Sequence, residues 1–581
     1  MNRLVIALGF VGTALLGGGV GFAQDAGGDE ARSLRDELAR LSRQWRPMSA
    51  EAELLYRILV GEVASRRGQM DLALESYLEA ARMSDDPRVA EQAVNIALFV
   101  ENDAAVLEAA QRWHAVAPDT VRSRQVLALA LLRNDRIDEA VGHLDAVREA
   151  GANDGQEGFA TVGALLNQAG DKDRALRVME VLRERHPDSR YAQYYFASAA
   201  LEAGAYERAI QALEPVLDRH PGWAPGHLLR AQVRVAGGDQ DQAVDELAKA
   251  VAAAPQDRIL RTGYGRLLLQ VERYDEARQQ FETLAEQNPK DAETLYTLGL
   301  LASEGERYEE AVDYLKQVLE QGVRVNDTYY ELGRVEELRK NYAQAQGWYG
   351  RVEGGERYLN AQVRVGAMLA RQGDLKGLAA HFATLRRDYP HNAVVFYLAE
   401  ADILREVEQH QTAYALLTQA LEQYPDDPDL RYGRALAAEK IGRLDVLEQD
   451  LRQLIDADPN NGHALNALGY TLADRTDRHQ EALGYLERAI ALLPDDAAVL
   501  DSMGWVKYRL GEYAEALIYL ERAYKASPDT EIAAHLSEVL WVSGQKDRAR
   551  QVWQEAIGRH PEDDHLLSVA ERLGLSGNDV P

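Results

Sequence analysis

Histidine has the widest chemical range of the side chains in this sequence, since an imidazole can bind a metal ion or transfer a proton near neutral pH. The 581 residues include 13 histidines. Three of them, His186, His220 and His560, directly precede a proline, which suits a helix carboxyl end that favours positive charge. A helical metal site needs two histidines four residues apart on one face, and no pair in the sequence has that spacing. We therefore expect no metal site.

The remaining candidates for chemistry are acidic clusters and sequence motifs. Asp426-Asp427 and Glu562-Asp563-Asp564 each follow a proline, and this position predicts helix caps rather than a glycine-turned calcium loop. Cysteine is absent, which excludes disulfides, thiol catalysis and cysteine-bound zinc. The patterns GxxxxGK, GxSxG and HExxH do not occur. We predict a protein that is not an enzyme and needs no cofactor.

The net charge narrows the class of partner. It is −29, from 94 acidic and 65 basic residues. A surface this acidic repels the phosphates of nucleic acids and of anionic lipids. We expect no nucleic-acid partner, whereas the charge itself is explained either by the solubility of a large surface or by a preference for basic partners.

The amino terminus has the pattern of an export signal. Arg3 is followed by an uncharged apolar stretch at residues 4–16, and Gly21-Phe22-Ala23 places small residues where a signal peptidase cleaves. The stretch is short for a membrane anchor. We predict a cleavable signal peptide over residues 1–23 and a mature protein in the periplasm or cell envelope, without a lipid anchor through cysteine.

Prolines mark a regular interval along the rest of the chain. The first series has a constant spacing: Pro187, Pro221, Pro255 and Pro289. A second series keeps the same interval to within one residue: Pro390, Pro425, Pro459, Pro494, Pro528 and Pro561. Because proline cannot continue a helix, each one predicts the end of a helical unit.

Small residues recur at fixed places inside each unit. A glycine lies half an interval before many of the prolines and an alanine follows that glycine by five positions, as in Gly511 and Ala516. A second glycine lies in the first helix, as in Gly469 and Gly504, where it lets two helices approach closely. This pattern resembles the tetratricopeptide repeat (TPR), a helix–turn–helix unit of about 34 residues.

The resemblance implies an all-α fold. We expect a right-handed superhelical solenoid of about 15 hairpins, since stacked repeats bury a continuous core. The solenoid would span residues 54–565. A polar segment or leading helix at 24–53 would precede it, and a capping helix and tail at 566–581 would follow.

The resemblance also implies a binding surface. In TPR proteins, residues at set positions of each first helix point into an inner groove. Aromatic and arginine side chains on such a wall are typical binding hot spots, although they also pack against each other between helices. The predicted groove residues are Asn466, Tyr470, Asp501, Trp505, Tyr508, Arg509 and Trp541, with Tyr194, Tyr296 and Tyr330 earlier in the chain. The lysine–asparagine clamp with which some TPR proteins bind a terminal carboxylate is absent.

Five segments carry a more specific resemblance: NALGYTLAD at 466–474, DSMGWV at 501–506, AAHLSEVLW at 533–541, ELLY at 53–56 and ALESYLEAA at 73–81. They resemble a proteobacterial family of long envelope TPR proteins. Its best-understood type is an outer-membrane lipoprotein adaptor, which activates a periplasmic carboxyl-terminal processing protease and delivers peptidoglycan hydrolases to it. The resemblance implies a non-catalytic adaptor with these partners, although the lipidated cysteine of that type is missing here. The alternative is a scaffold for envelope assembly, such as polysaccharide export, pilus or secretion machinery.

Overall fold

The computed structural model describes residues 49–151 and 155–574. The predicted signal peptide, residues 24–48 of the polar segment and residues 575–581 of the tail lie outside the described residues. Within the described part, the secondary structure consists of 31 α-helices and one short 3₁₀ turn at Pro390–Asn392, without a strand. The predicted all-α class is confirmed.

The chain divides into two compact units, which meet in sequence between Leu284 and Ala285. In the first unit, the helices have these bounds: α1 Ala50–Arg66, α2 Met70–Met83, α3 Pro87–Phe99, α4 Asp103–Val116, α5 Val121–Arg133, α6 Ile137–Ala150, α7 Gln156–Ala169, α8 Lys172–Arg185, α9 Arg190–Glu202, α10 Tyr206–Arg219, α11 Ala224–Ala236, α12 Gln240–Ala253 and α13 Arg258–Gln270. Helix α14, Tyr274–Gln287, contains the division.

The second unit continues with helices of similar length. Their bounds are α15 Ala292–Glu304, α16 Tyr308–Glu320, α17 Val325–Leu338, α18 Tyr342–Tyr349, α19 Tyr358–Arg371, α20 Leu375–Asp388, α21 Ala393–Glu406, α22 His410–Gln423, α23 Pro428–Lys440, α24 Leu444–Ala457, α25 Gly462–Arg475, α26 His479–Leu492, α27 Ala497–Arg509, α28 Tyr513–Ala526, α29 Thr530–Val542, α30 Lys546–Arg559 and α31 Asp564–Leu573. Each odd-numbered helix before α31 begins a hairpin that the next helix completes.

The turn residues end the helices as their chemistry requires. Helix α8 stops at Arg185, one residue before His186, and Pro187 follows. The same arrangement, in which one residue separates the helix end from a proline, recurs after α10 and α30. Between the two helices of a hairpin, Gly511 and Gly544 have φ of 83° and 90°, a left-handed conformation that glycine adopts without a steric penalty. The proline and glycine predictions are confirmed.

One hairpin departs from the others. Helix α18 has only eight residues, and its partner α17 buries three carboxylates, those of Glu331, Glu336 and Glu337. Glu337 accepts hydrogen bonds from the Tyr349 hydroxyl at 2.9 Å and from Arg371 at 2.7 Å. Buried charges are tolerated when they are paired in this way, and here an ionic cluster lies beside the apolar core residues Leu332 and Val335.

In each unit, buried apolar side chains of neighbouring helices pack together into hydrophobic clusters. Among the described residues, no helix is both long and apolar enough to cross a membrane.

Candidate functional site

Four first helices of the second unit, α23, α25, α27 and α29, begin successive hairpins. The first three of them carry a polar or aromatic residue at the same register, at the fifth position after the N-cap: Tyr432, Asn466 and Asp501. Helix α24 packs against both α23 and α25, and direct contacts join α25 to α27 and α27 to α29. The repeat itself therefore brings these three side chains onto one surface.

The sequence fixes where each of these helices begins. Asp427, Asn461, Asp496 and Asp529 are their N-caps. The side chain of Asp496 accepts a hydrogen bond from the Val499 amide at 3.0 Å, and that of Asn461 accepts one from the Ala464 amide at 2.9 Å. These bonds satisfy amides that would otherwise lack a partner, and so set the register of the residues that follow.

Glycine in the first helix lets the second helix of the hairpin pack closely against it. A Cβ on Gly469 would be 2.5 Å from Leu486 Cγ, and one on Gly504 would be 2.5 Å from Leu520 Cγ. Both distances are far below van der Waals contact. The predicted role of these glycines in close helix packing is confirmed.

A cavity of about 520 Å³ opens between the four first helices. Pockets for small molecules have volumes of roughly 300–1,000 Å³, so this cavity has room for a ligand group or for side chains of a partner. Its lining residues are Tyr432, Leu436, Glu439, Leu447, Asn466, Ala467, Tyr470, Thr471, Asp496, Ala497, Ala498, Asp501, Ser502, Ser527, Asp529, Glu531 and Ile532. Asn466, Tyr470 and Asp501 are predicted groove residues that the structure brings together here.

A buried ion pair lies beside this cavity. His535 Nδ1 is 2.9 Å from Asp501 Oδ2, and the imidazole stacks on the Trp505 indole with ring centroids 4.0 Å apart. Burial lowers the pKa of His535, but the facing carboxylate of Asp501 outweighs it, so that the pKa lies above its ordinary value of 6.5. The Asp501 carboxylate therefore favours the charged form of His535.

A second polar contact connects helices two repeats apart. The Tyr470 hydroxyl donates a hydrogen bond to Glu531 Oε1 at 2.6 Å, joining α25 to α29. Burial raises the pKa of Tyr470, and the nearby Glu531 carboxylate raises it further. The phenol therefore stays neutral and serves as a donor.

The remaining late groove residues have structural partners. Trp505 is only 6% exposed, and its indole nitrogen donates to Asp474 Oδ1 at 3.1 Å. Arg509 donates to the backbone oxygen of Asp474 at 3.0 Å, and the Tyr508 hydroxyl donates to Glu538 at 3.0 Å. These residues support the wall and do not line the cavity.

The other four predicted groove residues lie elsewhere. Trp541 packs beneath the charged groups of Lys546 and Arg550. Tyr296 is buried, with the Arg324 guanidinium 5.0 Å from its ring centroid. Tyr330 contacts the Tyr349 ring and the Arg357 guanidinium. Tyr194 belongs to the first unit, where it packs against Tyr195 and Trp223.

Sequence reasoning missed four residues of the site: Tyr432, Glu439, Glu531 and His535. The repeat register was a signal for Tyr432, which stands one repeat before Asn466, whereas His535 is in register with Ser502 and had no such signal. Glu531 had no such signal, because it belongs to the first turn of α29 and reaches Tyr470 across 61 residues of sequence.

Family models match the repeats that form this site. Two models described as tetratricopeptide repeat match the chain, one over residues 166–233 and 234–303 and the other over 296–356, 398–446, 448–497 and 502–564. A TPR repeat-containing protein of Pseudomonas aeruginosa is 34% identical over 491 residues, which is 84% of this chain and 83% of that protein.

Solved structures of two proteins are also similar. A thermophilic TPR protein of Thermus thermophilus matches with 24% identity and a TM-score of 0.28, over 31% of this chain and 95% of that chain. The APC/C hetero-tetramer Cut9-Hcn1 matches with 12% identity and a TM-score of 0.30, over 90% of this chain and 96% of that chain.

Proposed function

Because this chain belongs to the tetratricopeptide repeat family, whose arrays are protein-binding scaffolds, we propose that its cavity between α23 and α29 binds a segment of a partner protein in the bacterial cell envelope. The observation that carries this proposal is the convergence of Tyr432, Asn466, Tyr470 and Asp501 on one cavity of about 520 Å³. Aromatic and polar groups around a recess are typical of binding hot spots.

The buried contacts around the cavity support a rigid receptor. Tyr470 is held by Glu531, Asp501 is held by His535, and Trp505 is stacked on that histidine. Side chains that are already fixed lose less entropy when a ligand binds. A preformed wall of this kind suits the recognition of a partner.

The proposed place of action is the periplasm or cell envelope. The support is the amino-terminal pattern of residues 1–23, with its basic start, apolar stretch and small residues before Gln24. The proposed role is an adaptor that brings substrates such as peptidoglycan hydrolases to a carboxyl-terminal processing protease. The support for this role is the family resemblance of the segments at 466–474, 501–506 and 533–541.

A capture experiment with a matched pair of variants tests the proposal. Ala498 is exposed and lines the cavity, whereas Ala491 is exposed on α26 and does not line it. We expect the full chain to retain a processing protease and its hydrolase substrates from an envelope extract of the source bacterium. Ala498→Arg should abolish this retention by filling the cavity, and Ala491→Arg should leave it unchanged.

The other outcomes separate the parts of the proposal. Recovery of export, pilus or secretion components without a protease would overturn the adaptor role and keep the scaffold. Equal retention by both variants would show that the partner binds elsewhere. If the full chain retains no protein, the scaffold proposal itself is wrong.

A further inference from the structure

We propose that the cavity between α23 and α29 recognises its partner through a lysine or arginine side chain of an extended basic segment. This inference rests on the proposed function and adds the chemistry of the occupant. It follows from the charges that line the cavity, from an acceptor atom without a donor, and from the two aromatic rings beside them.

The lining carries five carboxylates and no basic side chain. They belong to Glu439, Asp496, Asp501, Asp529 and Glu531, and none of the described lining residues is lysine, arginine or histidine. His535, which does not line the cavity, is 2.9 Å from Asp501 Oδ2. The cavity therefore has a negative potential that a cationic group would relieve.

Glu439 is a lining carboxylate without a directly bound counter-charge. It is half-buried, and no side chain in the described part of the chain forms a hydrogen bond or ion pair with it. Burial raises the pKa of Glu439, and the charges of Glu531 and Asp474 raise it further, while Lys440 and Arg475 lower it in part. A cation in the cavity would lower the pKa of Glu439 and so favour its ionised form.

Asn466 supplies the independent observation that a donor is missing. Its Oδ1 atom is buried and accepts no hydrogen bond from the described residues, although buried acceptors are almost always paired. Lysine and arginine side chains carry only donors. The side chain that carries this atom therefore lines the same cavity as Glu439.

Aromatic rings complete a site for a cation. Tyr432 and Tyr470 both line the cavity, and a tyrosine face attracts an ammonium or guanidinium group within about 6 Å. Burial raises the pKa of Tyr432, and the charge of Glu439 raises it further. Tyr432 and Tyr470 therefore line the same cavity as the unpaired carboxylate of Glu439.

The amino termini of two helices favour an anion, but the carboxylates of the cavity outweigh them. The amino termini of α27 and α29 reach the cavity, and each carries a partial charge of roughly +0.5. Their first amides are already capped by Asp496 and Asp529, which bind Val499 and Glu531 amides. Five carboxylates exceed this positive charge. A metal ion is a poorer occupant, because no group of three or more metal-binding side chains in the described residues could hold one.

Selection from random short peptides, acetylated and amidated at their ends, tests the inference. Blocked ends leave only side chains as sources of charge. We expect the full chain to enrich lysine- and arginine-containing peptides, with an affinity that falls as the salt concentration rises. In the double variant Glu439→Gln and Glu531→Gln, the affinity for the enriched peptides should fall about tenfold or more, since charged hydrogen bonds are lost.

A matched control separates the cavity from the net charge of the protein. Glu422 and Glu487 are exposed on α22 and α26 and do not line the cavity. The double variant Glu422→Gln and Glu487→Gln loses the same charge and should bind as the unmodified chain does. Circular dichroism of both double variants establishes that they are folded.

Each other outcome has a separate meaning. Enrichment of acidic or uncharged peptides, or equal loss in both double variants, would overturn the basic occupant and leave the binding scaffold intact. Failure of the full chain to enrich any peptide would overturn this inference together with the proposed peptide-binding cavity.

Discussion

The hydroxyl of Tyr470 lies 2.6 Å from Glu531 Oε1, although the two residues belong to first helices that are two repeats apart. The hydrogen bond of Trp505 to Asp474 joins neighbouring repeats, whereas this bond links α25 to α29 directly. It fixes two lining side chains at once, and it keeps the tyrosine ring at the edge of the cavity.

Loss of this bond should destabilise the second unit. Hydrogen bonds to charged groups contribute about 1.5–3 kcal/mol, and neutral ones about 1 kcal/mol. We expect Tyr470→Phe to lower the free energy of unfolding by about 1–2 kcal/mol, measured by urea denaturation. Tyr513→Phe removes a hydroxyl that has no hydrogen bond to the described residues and should leave the transition unchanged. Equal midpoints for the two variants would contradict the role given to Glu531.

Two glycines should respond to alanine with opposite signs. A Cβ on Gly504 would lie 2.5 Å from Leu520 Cγ, whereas one on Gly484 would have no neighbour within 4 Å among the described residues. We expect Gly504→Ala to lower the free energy of unfolding by about 1–3 kcal/mol through overpacking. Gly484→Ala should raise it by about 0.5–1 kcal/mol, because glycine weakens a helix interior. Thermal melting measures the stability of both variants. Shifts of the same sign would show that the two helices of the hairpin can move apart to accommodate a methyl group at Gly504.

The ion pair of Arg434 and Asp450 should be sensitive to the loss of one partner. Asp450 is fully buried and accepts two hydrogen bonds from Arg434, at 2.6 and 2.8 Å. Arg434→Met leaves a buried carboxylate without its main partner, which costs about 3–5 kcal/mol. The double variant Arg434→Met and Asp450→Leu should recover most of that loss. A double variant as unstable as the single one would refute this explanation.

The His535–Asp501 pair should make stability depend on pH. The pKa of His535 is raised in the folded protein above its ordinary 6.5, so the folded state binds the proton more tightly than the unfolded state does. The stabilisation is therefore full below pH 6.5 and is lost as the pH rises through the raised pKa. The groups that face the imidazole are Asp501, Trp505, Tyr470, Glu531 and Asp474.

Melting curves across this pH range measure the effect. The difference in melting temperature between the unmodified chain and His535→Gln should be largest at acidic pH and should shrink as the pH rises. A difference that grows with pH would mean that His535 is neutral when folded and that Asp501 is not its counter-charge.

The hairpins could be predicted from the sequence because their signals are local. Pro187, Gly511 and Gly469 act through the backbone or through a single close contact, and each recurs with the repeat. The ionic core around Glu337 could not be predicted, because a carboxylate in that position is ordinarily exposed and its partners Arg364 and Arg371 come from α19.

The site could be predicted only in part, for a related reason. The register selects positions, so Asn466, Tyr470 and Asp501 were found. It does not decide which way a side chain turns, and Trp505 turns into the wall to stack on His535. The position of Glu531 near Tyr470 depends on how successive repeats are stacked, which no local pattern encodes.

The most direct test of the binding role is photo-crosslinking from inside the cavity. A photoreactive amino acid would replace Ala498, which is exposed and lines the cavity, and in a second variant Glu487, which is exposed on α26 and does not line it. In intact cells of the source bacterium, we predict that light produces a discrete crosslinked protein with the Ala498 variant and none with the Glu487 variant. Crosslinks from Glu487 alone, or no crosslink from either position, would contradict the claim that a partner protein binds in this cavity.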